Sequence, residues 1–428
     1  MTRMTDEKNI AKIIGILLLL PILQFHRVSI AMVVIFLYII CNVAKKGLHL
    51  KQNIMVTCML ALAVFTVLLS VTNNIGSGWK LTAVFNFGLF VFALLFYEYC
   101  AADICTNDLS SFVEGIKIGC LLNITWCYVQ YMLYSAVKID INDLIFHRAL
   151  GLVETASAFR DGVTYCVTGF GWHPGQLVPV LLISFLLFDS VLIKLLLIGI
   201  CLLAHNSTCL IACMLCILFD FHSFIKVHDS QKYNAIKVIE YLFLLGVVFT
   251  ALIFESSFIG ASTSSIRSLF ERLSNILSKN SNIDTSSYLH FRYYTYLPEL
   301  IRKSNIFQIL LGCGYECSGL PFSKYLGQYT TLNDWIVESD YINLLVGRGI
   351  IWTSIYYFWL IQIFNKGRKI SAKNILFTAV VLIAGVFYNN QFWWFFLFEI
   401  ILSQSIQSDL DLWSCNENTF NIFYRTSL

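Results

Sequence analysis

Two neighbouring apolar runs, residues 28–44 (VSIAMVVIFLYIICNVA) and residues 52–72 (QNIMVTCMLALAVFTVLLSVT), decide the fold class of this chain. Each is close to the roughly 20 residues that a helix needs to cross a bilayer. The intervening KKGLHLK carries Lys45, Lys46 and Lys51, and such short basic turns stay on the cytoplasmic side of a membrane. The stretch therefore predicts two adjacent membrane-spanning helices joined by a cytoplasmic turn.

The composition of the whole chain agrees with a membrane protein. Of its 428 residues, 57% are hydrophobic and 13% are charged, whereas soluble domains carry roughly 25% charged residues. So few charges cannot cover a water-soluble surface of this size. The net charge of +3 identifies no partner, and the absence of a basic aromatic stripe in the sequence argues against nucleic acid.

Similar runs recur along the sequence and predict an all-α integral membrane protein with about 12 transmembrane helices. The candidate spans are 10–26, 28–44, 52–72, 81–97, 112–136, 174–189, 191–204, 207–222, 238–257, 341–363, 374–390 and 392–406. Two further basic clusters follow residues 222 and 363. With both termini inside, every basic cluster lies on the cytoplasmic side if 191–222 crosses twice.

This topology divides the chain into alternating membrane and loop regions. The regions are the N-terminal spans 1–136, a first large periplasmic loop 137–173, the central spans 174–257, a second large periplasmic loop 258–340, the C-terminal spans 341–406 and a cytoplasmic tail 407–428. Neither loop is expected to have a core of its own. Both are interpreted as lids over a membrane-embedded site.

The two loops carry arginines that could bind an anion. Arg148 and Arg160 lie in the first loop, and Arg292 and Arg302 lie in the second. A guanidinium presents a planar fork that matches phosphate oxygens and keeps its charge. A lipid diphosphate would need such groups, although solvated arginines or arginines bound to lipid headgroups would follow the same pattern.

Glycines and a histidine accompany these arginines. In the first loop, Gly171 and His173 precede Pro174, where a helix is expected to begin because proline suits its first position. His173 could carry a proton or could be an ordinary interfacial histidine. In the second loop, Gly312 and Gly314 allow the backbone to approach a phosphate or sugar closely, and an ordinary turn explains them equally well.

The segment WIVESDYINLLVGRG, residues 335–349, joins the second loop to a predicted span. Glu338 and Asp340 are carboxylates at this boundary, where an acid is costly unless it is paired or functional. Such a carboxylate could accept a proton from a sugar hydroxyl. The alternative is a helix cap with Ser339 or Asp340 at its start. For Glu338 both interpretations stay open, and for Asp340 the cap is favoured.

This junction resembles the O-antigen ligase/polymerase superfamily of bacterial glycan assembly. The ligases have His, then Asn, Ser or Gln, nine residues, and Gly-x-x-Gly. Glu338-Ser339, nine residues and Gly349 fit that frame. Glutamate replaces the ligase histidine and Trp352 replaces the final glycine, so the resemblance favours the polymerase branch.

Further motifs are similar to those of the polymerases. Arg160 and Gly171 match an Arg-x10-Gly motif of the first loop, and Arg292 followed by LLGCGYECSG is similar to an arginine-then-Gly-x-Gly run. Arg302 and Gly312 fit the Arg-x10-Gly spacing less well, because nine residues separate them.

The resemblance implies a glycosyltransferase-type enzyme of the bacterial inner membrane whose site faces the periplasm. It would transfer a growing glycan from undecaprenyl diphosphate to the non-reducing end of a new lipid-linked unit, without metal or cofactor. Glu338 would be the base or would orient the acceptor, with Asp340 and His173 as further candidates. The diphosphate would be bound by Arg160 and Arg292, with Arg148 and Arg302 as weaker candidates.

A membrane lipid is therefore the expected partner, and a chain-length regulator and a flippase would be the protein partners. Two rival functions stay open: an O-antigen ligase acting on lipid A–core, and a polysaccharide flippase or other transporter. A ligase should have the histidine that Glu338 replaces. A transporter should place its ionisable residues in mid-membrane, often in repeated halves, and no internal repeat is visible here.

Overall fold

The computed structural model describes residues 2–25, 28–46, 54–72, 77–95, 104, 109–153, 158–160, 164–172, 174–204, 210, 213–218, 221, 231–258, 285–315, 317–326, 337 and 339–365. These residues are mostly helical, in agreement with the predicted all-α class. Among them, one helix is long and apolar enough to cross a membrane, at Ser110–Val137. The number of about 12 spans stays a prediction.

The helices in chain order are α1 (Thr2–Leu18), α2 (Ile30–Lys46), α3 (Ile54–Thr72), α4 (Ser77–Leu95), α5 (Leu109–Val137), α6 (Leu177–Leu187), α7 (Val191–Leu203), α8 (Gln231–Phe258), α9 (Thr285–Lys303), α10 (Ile306–Leu311), α11 (Gly319–Leu326) and α12 (Asp340–Asn365). Shorter elements are the antiparallel pair β1 (Gln24–Phe25) with β2 (Val28–Ser29), a π-helical segment Asp143–Ala149, the antiparallel pair β3 (Phe159–Arg160) with β4 (Thr164–Tyr165), and a 3-10 turn Pro174–Gln176.

The backbones of helices α1 and α5 pack closely because glycines line their contact. A Cβ atom on Gly15 would lie 2.5 Å from the carbonyl oxygen of Phe112, and one on Gly115 would collide with the carbonyl of Lys12. Gly119 completes a Gly-x3-Gly pattern on α5, a spacing that lets helix backbones approach closely. Lys12 also forms an ion pair with Glu114 across the contact.

The first predicted span, 10–26, is wrong in its position. Helix α1 ends at Leu18, and the chain then turns, with the N–H of Leu20 donating to the carbonyl of Leu17 at 3.1 Å. Pro21 lacks an N–H and would clash with a helical carbonyl four residues earlier, so the helix cannot continue through it. The apolar residues beyond it enter the β1–β2 hairpin instead.

The other predicted spans that fall on described residues agree more closely. The helices α2 to α5 begin and end within five residues of the predicted limits, and the turn at Pro174–Gln176 begins where proline predicted a helix start. The spans 374–390 and 392–406 lie outside the described residues. The span 207–222 is described only in part.

Most buried apolar side chains form one core that joins α1 to α8 and reaches α12 through residues such as Leu344 and Trp352. A smaller cluster unites the second predicted loop with the start of α12, through Tyr293 of α9, Phe322 of α11 and Ile342 of α12. The sequence suggested a loop without a core. The described helices of this loop bury their apolar side chains in a cluster that they share with Ile342 and Val346 of α12.

Candidate functional site

Asn142 ties the first predicted loop to the end of α5. Its side-chain amide donates to the hydroxyl of Thr168 at 2.9 Å and to the carbonyl oxygens of Gly169 at 2.8 Å and Gly171 at 3.2 Å. Its oxygen accepts from the indole N–H of Trp126 at 2.8 Å. Because Asn142 is buried, these bonds satisfy an amide that would otherwise be costly to bury. They hold residues 168–171, including the predicted site glycine Gly171, in one conformation.

Two polar residues inside α5 bind the same turn. The oxygen of Gln130 accepts from the backbone N–H of Gly169 at 2.9 Å, and the oxygen of Asn123 accepts from that of Phe170 at 2.9 Å. Asn123 also donates to the carbonyl of Leu19 at the end of α1, at 2.8 Å. A side chain at Gly169, whose φ is +60°, would meet Asn123. The polar residues of the longest apolar helix therefore anchor a loop.

The second predicted loop is anchored to α12 by Ser318. Its hydroxyl donates to the side-chain oxygen of Asn343 at 2.7 Å and accepts from the backbone N–H of Val337 at 2.9 Å. One turn away, the hydroxyls of Ser339 and Tyr294 lie 2.6 Å apart. Ser318, Asn343 and Ser339 are all buried, so these contacts fix the approach of the chain to α12.

Asp340 is the first residue of α12 and follows Ser339, which occupies the N-cap position. In this first turn an acid is favoured by the helix dipole. The carboxylate also acts on Tyr294 of α9. Burial raises the pKa of the Tyr294 hydroxyl, its bond to Ser339 lowers that pKa, and the charge of Asp340 raises it further. The charge of Asp340 therefore acts on the hydroxyl of Tyr294 near the first turn of α12.

Gly312 and Gly314 approach backbone rather than an empty surface. Helix α12 breaks at Gly349, with φ 80° and ψ 167°, so the carbonyls of Val346 and Gly347 lose their helical partners. They accept instead from the N–H groups of Cys313 and Gly314, both at 2.9 Å. A Cβ on Gly312 would collide with the carbonyl of Gly347. The close neighbours of these glycines are therefore the kink of α12 at Gly312 and Ser70 of α3 at Gly314, and an approach to a phosphate or sugar stays a prediction.

Arg348 lies beside this kink and is 2% exposed. Its guanidinium carbon is 4.0 Å from the centroid of the Tyr315 ring and 4.4 Å from that of Trp352, with Phe90 of α4 at 5.8 Å. Stacking a weakly hydrated guanidinium on aromatic faces is a favourable way to bury it. Arg348 therefore connects α12, α4 and the loop that carries Ser318.

The structure describes the side chains of some predicted site residues and not of others. Arg148 forms an ion pair at 2.6 Å with Asp143 of its own π-helical segment, and Arg302 lies exposed in the last turn of α9. No contact among the described residues joins these two arginines. Arg160 belongs to β3 and Arg292 to α9, but their side chains lie outside the described residues, as do Glu338 and His173.

Sequence reasoning did not select Arg348, Ser318 or Tyr294 as site residues. The sequence could have identified Arg348, since an arginine inside an apolar run needs a partner or a function. It could not have identified Ser318 or Tyr294, because only the packing of α9 and α11 on α12 brings them together. Within the part of the chain that the structure describes, no three His, Cys, Asp or Glu side chains are grouped to hold a metal ion.

No protein-family model matches this sequence, and no curated protein matches it significantly. The geometry and the residues therefore carry the functional argument.

Proposed function

We propose that this chain is an integral membrane O-antigen polymerase with its site at the periplasmic face of the bacterial inner membrane. It would join lipid-linked repeat units by transferring the growing glycan from undecaprenyl diphosphate to the non-reducing end of a new unit. The junction between the second loop and α12 is the proposed centre of this reaction.

The observation that carries the proposal is the anchoring of both neighbours of Glu338. The N–H of Val337 is held by Ser318, and the hydroxyl of Ser339 is held by Tyr294. Both flanking residues are fully buried. A catalytic base must be held at a defined position relative to its substrate. A solvated loop acid needs no such support, so the anchoring favours a functional Glu338.

In the proposed reaction, Glu338 accepts the proton of the acceptor hydroxyl as that oxygen attacks the anomeric carbon of the donor. The bond from the anomeric carbon to the diphosphate breaks, and undecaprenyl diphosphate leaves with the electron pair. Fixed cations stabilise the charge that develops on the leaving group, and Arg160 and Arg292 are the proposed cations. Asp340 and Tyr294 shape the polarity around the base. His173, Arg148 and Arg302 keep secondary roles.

The test is lipopolysaccharide gel analysis after deletion of the gene in its natural host. Loss of a polymerase leaves lipid A–core carrying one repeat unit, and the intact gene restores the ladder. Core alone in the deletion strain would indicate a ligase. Loss of even the single unit, with lipid-linked units accumulating inside the cell, would indicate a transporter. Either of these results refutes the proposal.

Single substitutions then test the residues. Glu338→Gln should remove the ladder, because loss of a general base slows such reactions by about 10²–10⁴-fold. The matched control is Glu299→Gln, which changes an exposed acid paired with Lys303 at 3.1 Å on α9 and should leave the ladder unchanged. A normal ladder from Glu338→Gln, at equal protein level, would exclude it from the mechanism.

The proposed cations have a control on the same helix. Arg292→Ala should abolish the ladder, whereas Lys303→Ala removes an exposed cation from α9 and should not. Arg160→Ala should behave like Arg292→Ala. Normal ladders from Arg160→Ala and Arg292→Ala, like that of Lys303→Ala, would exclude these arginines from diphosphate binding.

A further inference from the structure

Helix α10, in the second predicted periplasmic loop, presents an exposed apolar face. The side chains of Ile306, Phe307 and Leu310 are 60%, 70% and 36% exposed. Ile301, near the end of α9, is 42% exposed and precedes them in the chain. Large apolar side chains that are exposed together mark a contact with another protein or with a membrane.

Hydrogen bonds fix the height of this helix relative to α3. The chain leaving α10 is bonded to α3, since the N–H of Tyr315 donates to the carbonyl of Thr66 at 3.1 Å and the hydroxyl of Ser70 donates to the carbonyl of Tyr315 at 2.8 Å. Helix α3 ends at Thr72, and at 1.5 Å per residue these two contacts lie about 3–9 Å before its end.

The predicted topology converts this height into a depth in the bilayer. The basic turn that precedes α3 belongs on the cytoplasmic side, so the end of α3 at Thr72 faces the periplasm. The segment after α10 therefore lies just inside the periplasmic boundary of a spanning helix. This depth matches that of interfacial helices, which bury an apolar face about 5–10 Å into the boundary between headgroups and acyl chains.

Helix α10 also adjoins an exposed apolar part of α12. A Cβ atom on Gly349 would collide with the carbonyl of Leu310, so the two helices touch at this point. The next residues of α12, Ile350 and Ile351, are 44% and 38% exposed and belong to the predicted span 341–363. A spanning helix exposes such side chains to lipid, and the apolar face of α10 lies on the element beside them.

The charges next to this face suit an anionic membrane surface. Arg302 and Lys303 are exposed at the end of α9, and Lys303 pairs with Glu299 at 3.1 Å. These two cations and one acid leave a net charge of +1 over residues 299–310. Long basic side chains can extend from an apolar face to the phosphate groups of lipids.

The polar side chains of α10 bond to its own backbone. Asn305 and Gln308 are the only polar residues in NIFQILL, residues 305–311. The side chain of Asn305 accepts from the N–H of Gln308 at 2.8 Å, and the side chain of Gln308 accepts from the N–H of Asn305 at 3.1 Å. Such a capping box pairs backbone groups that would be costly to leave unpaired where water is scarce.

We propose that α10 lies in the outer leaflet of the membrane as an interfacial helix. Ile306, Phe307 and Leu310 insert among the acyl chains, while Arg302 and Lys303 bind the phosphate groups of anionic phospholipids. The helix thereby holds the second loop at the height of the headgroups, where the diphosphate of a lipid-linked substrate lies. This inference rests on the proposed function, which places this loop at the periplasmic face of the membrane.

Two observations favour lipid over a protein as the occupant. A protein partner or a second copy of this chain could cover an apolar face at any height. The face of α10 instead lies at the depth where acyl chains begin, and it adjoins the exposed Ile350 and Ile351 of a predicted span.

The test places a fluorine-labelled phenylalanine at position 307 of the full-length chain, in nanodiscs of equal parts phosphatidylcholine and phosphatidylglycerol. A nitroxide on the upper acyl chain of the lipid should broaden the fluorine NMR signal more than a water-soluble gadolinium chelate does. Equal or stronger broadening by the chelate would place the face in water and overturn the proposal. A signal that neither reagent broadens would show that protein covers the face, which also overturns it.

A second measurement tests the two cations. With the label at position 307, a nitroxide carried on phosphatidylglycerol should broaden the signal about fivefold more than one carried on phosphatidylcholine, since a cation near the surface enriches anionic lipid by roughly that factor. The double variant Arg302→Gln with Lys303→Gln should remove this difference. A difference that persists in the double variant would overturn the assignment of these cations to the headgroups.

A control label separates the failure of this inference from that of the proposed function. Phe243 of α8 is 54% exposed and lies in the predicted span 238–257. If the lipid nitroxide broadens a label at Phe243 but not one at Phe307, the interfacial helix is wrong and the membrane enzyme stands. If the gadolinium chelate broadens both labels and the lipid nitroxide neither, the membrane assignment and the proposed function fail together.

Discussion

The close contact of α1 and α5 makes Gly15→Ala the sharpest test of the fold. The new Cβ would lie 2.5 Å from the carbonyl oxygen of Phe112 and 3.0 Å from the N–H nitrogen of Ile116. Carbon–oxygen contacts normally begin near 3.3 Å. Both obstacles are backbone atoms of α5, so no rotamer change relieves the clash and the helices must separate by about 0.8 Å.

That separation of the helices also affects the hydrogen bond between Asn123 of α5 and Leu19, the residue after α1. The bond from Asn123 to the Leu19 carbonyl, now 2.8 Å, would lengthen beyond the usual limit of about 3.2 Å. Overpacking costs about 1–3 kcal/mol, and a weakened hydrogen bond adds about 1 kcal/mol. We therefore expect Gly15→Ala to lower Tm by about 2–6 °C, measured on the purified protein in detergent.

The control for this substitution is Gly246→Ala in α8, where nothing lies within 4 Å of the added Cβ. Alanine restricts the unfolded chain and favours helix, which stabilises by about 0.4–1 kcal/mol at a compatible site. The two alanines should therefore change Tm in opposite directions. Equal shifts would refute the reasoning, because they would show that no backbone contact opposes Gly15→Ala.

The remaining predictions concern α12 and the first loop. Gly349→Ala should destabilise the protein by about 2–4 kcal/mol in chemical unfolding, since it strains a φ of 80° and brings a Cβ to 2.5 Å from the Gly312 nitrogen. Arg348→Lys should lower Tm more than Arg348→Leu, because lysine keeps the buried charge but loses the planar stacking at 4.0 Å on Tyr315. A folded-state pKa raised at Asp140 means that stability falls as pH rises from the ordinary carboxyl pKa through the raised one. Asp140→Asn should remove that part of the pH dependence and raise Tm at pH 7, as thermal melts from pH 4 to 8 can measure.

The sequence predicted the long helices well because length and apolar composition decide them. It misplaced α1, since a window of apolar residues passes over Pro21 without registering the break that proline imposes. It also missed α9 and α11 as helices. Both helices are amphipathic rather than uniformly apolar, so a search for long apolar runs passes over them. Their apolar faces pack Tyr293 and Phe322 into the cluster at the start of α12.

At the candidate site, too, the sequence predicted features that adjacent residues determine and missed features that tertiary packing determines. The sequence predicted a polar helix start at Asp340, because acid, hydroxyl and apolar run are adjacent in the chain. For Gly312 and Gly314 it predicted either a close approach to a phosphate or sugar or an ordinary turn, and their φ values of +84° and +132° are ones that glycine adopts readily. It could not assign their partner, because residues 346–349 lie more than 30 positions away. The bond between Tyr294 and Ser339 likewise depends on tertiary packing alone.

The polar side chains of α5 bear on the choice between a polymerase and a transporter. Asn123 and Gln130 are the residues that a transport pathway through this helix would need, and such a pathway requires polar groups that face a cavity. Here Gln130 binds the backbone of Thr168 and Gly169, and Asn123 binds Phe170 and Leu19. A substrate would have to break these buried bonds to use either residue. The same bonds fasten residues 168–170 to the helix, an arrangement that fits an anchored loop more than a moving gate.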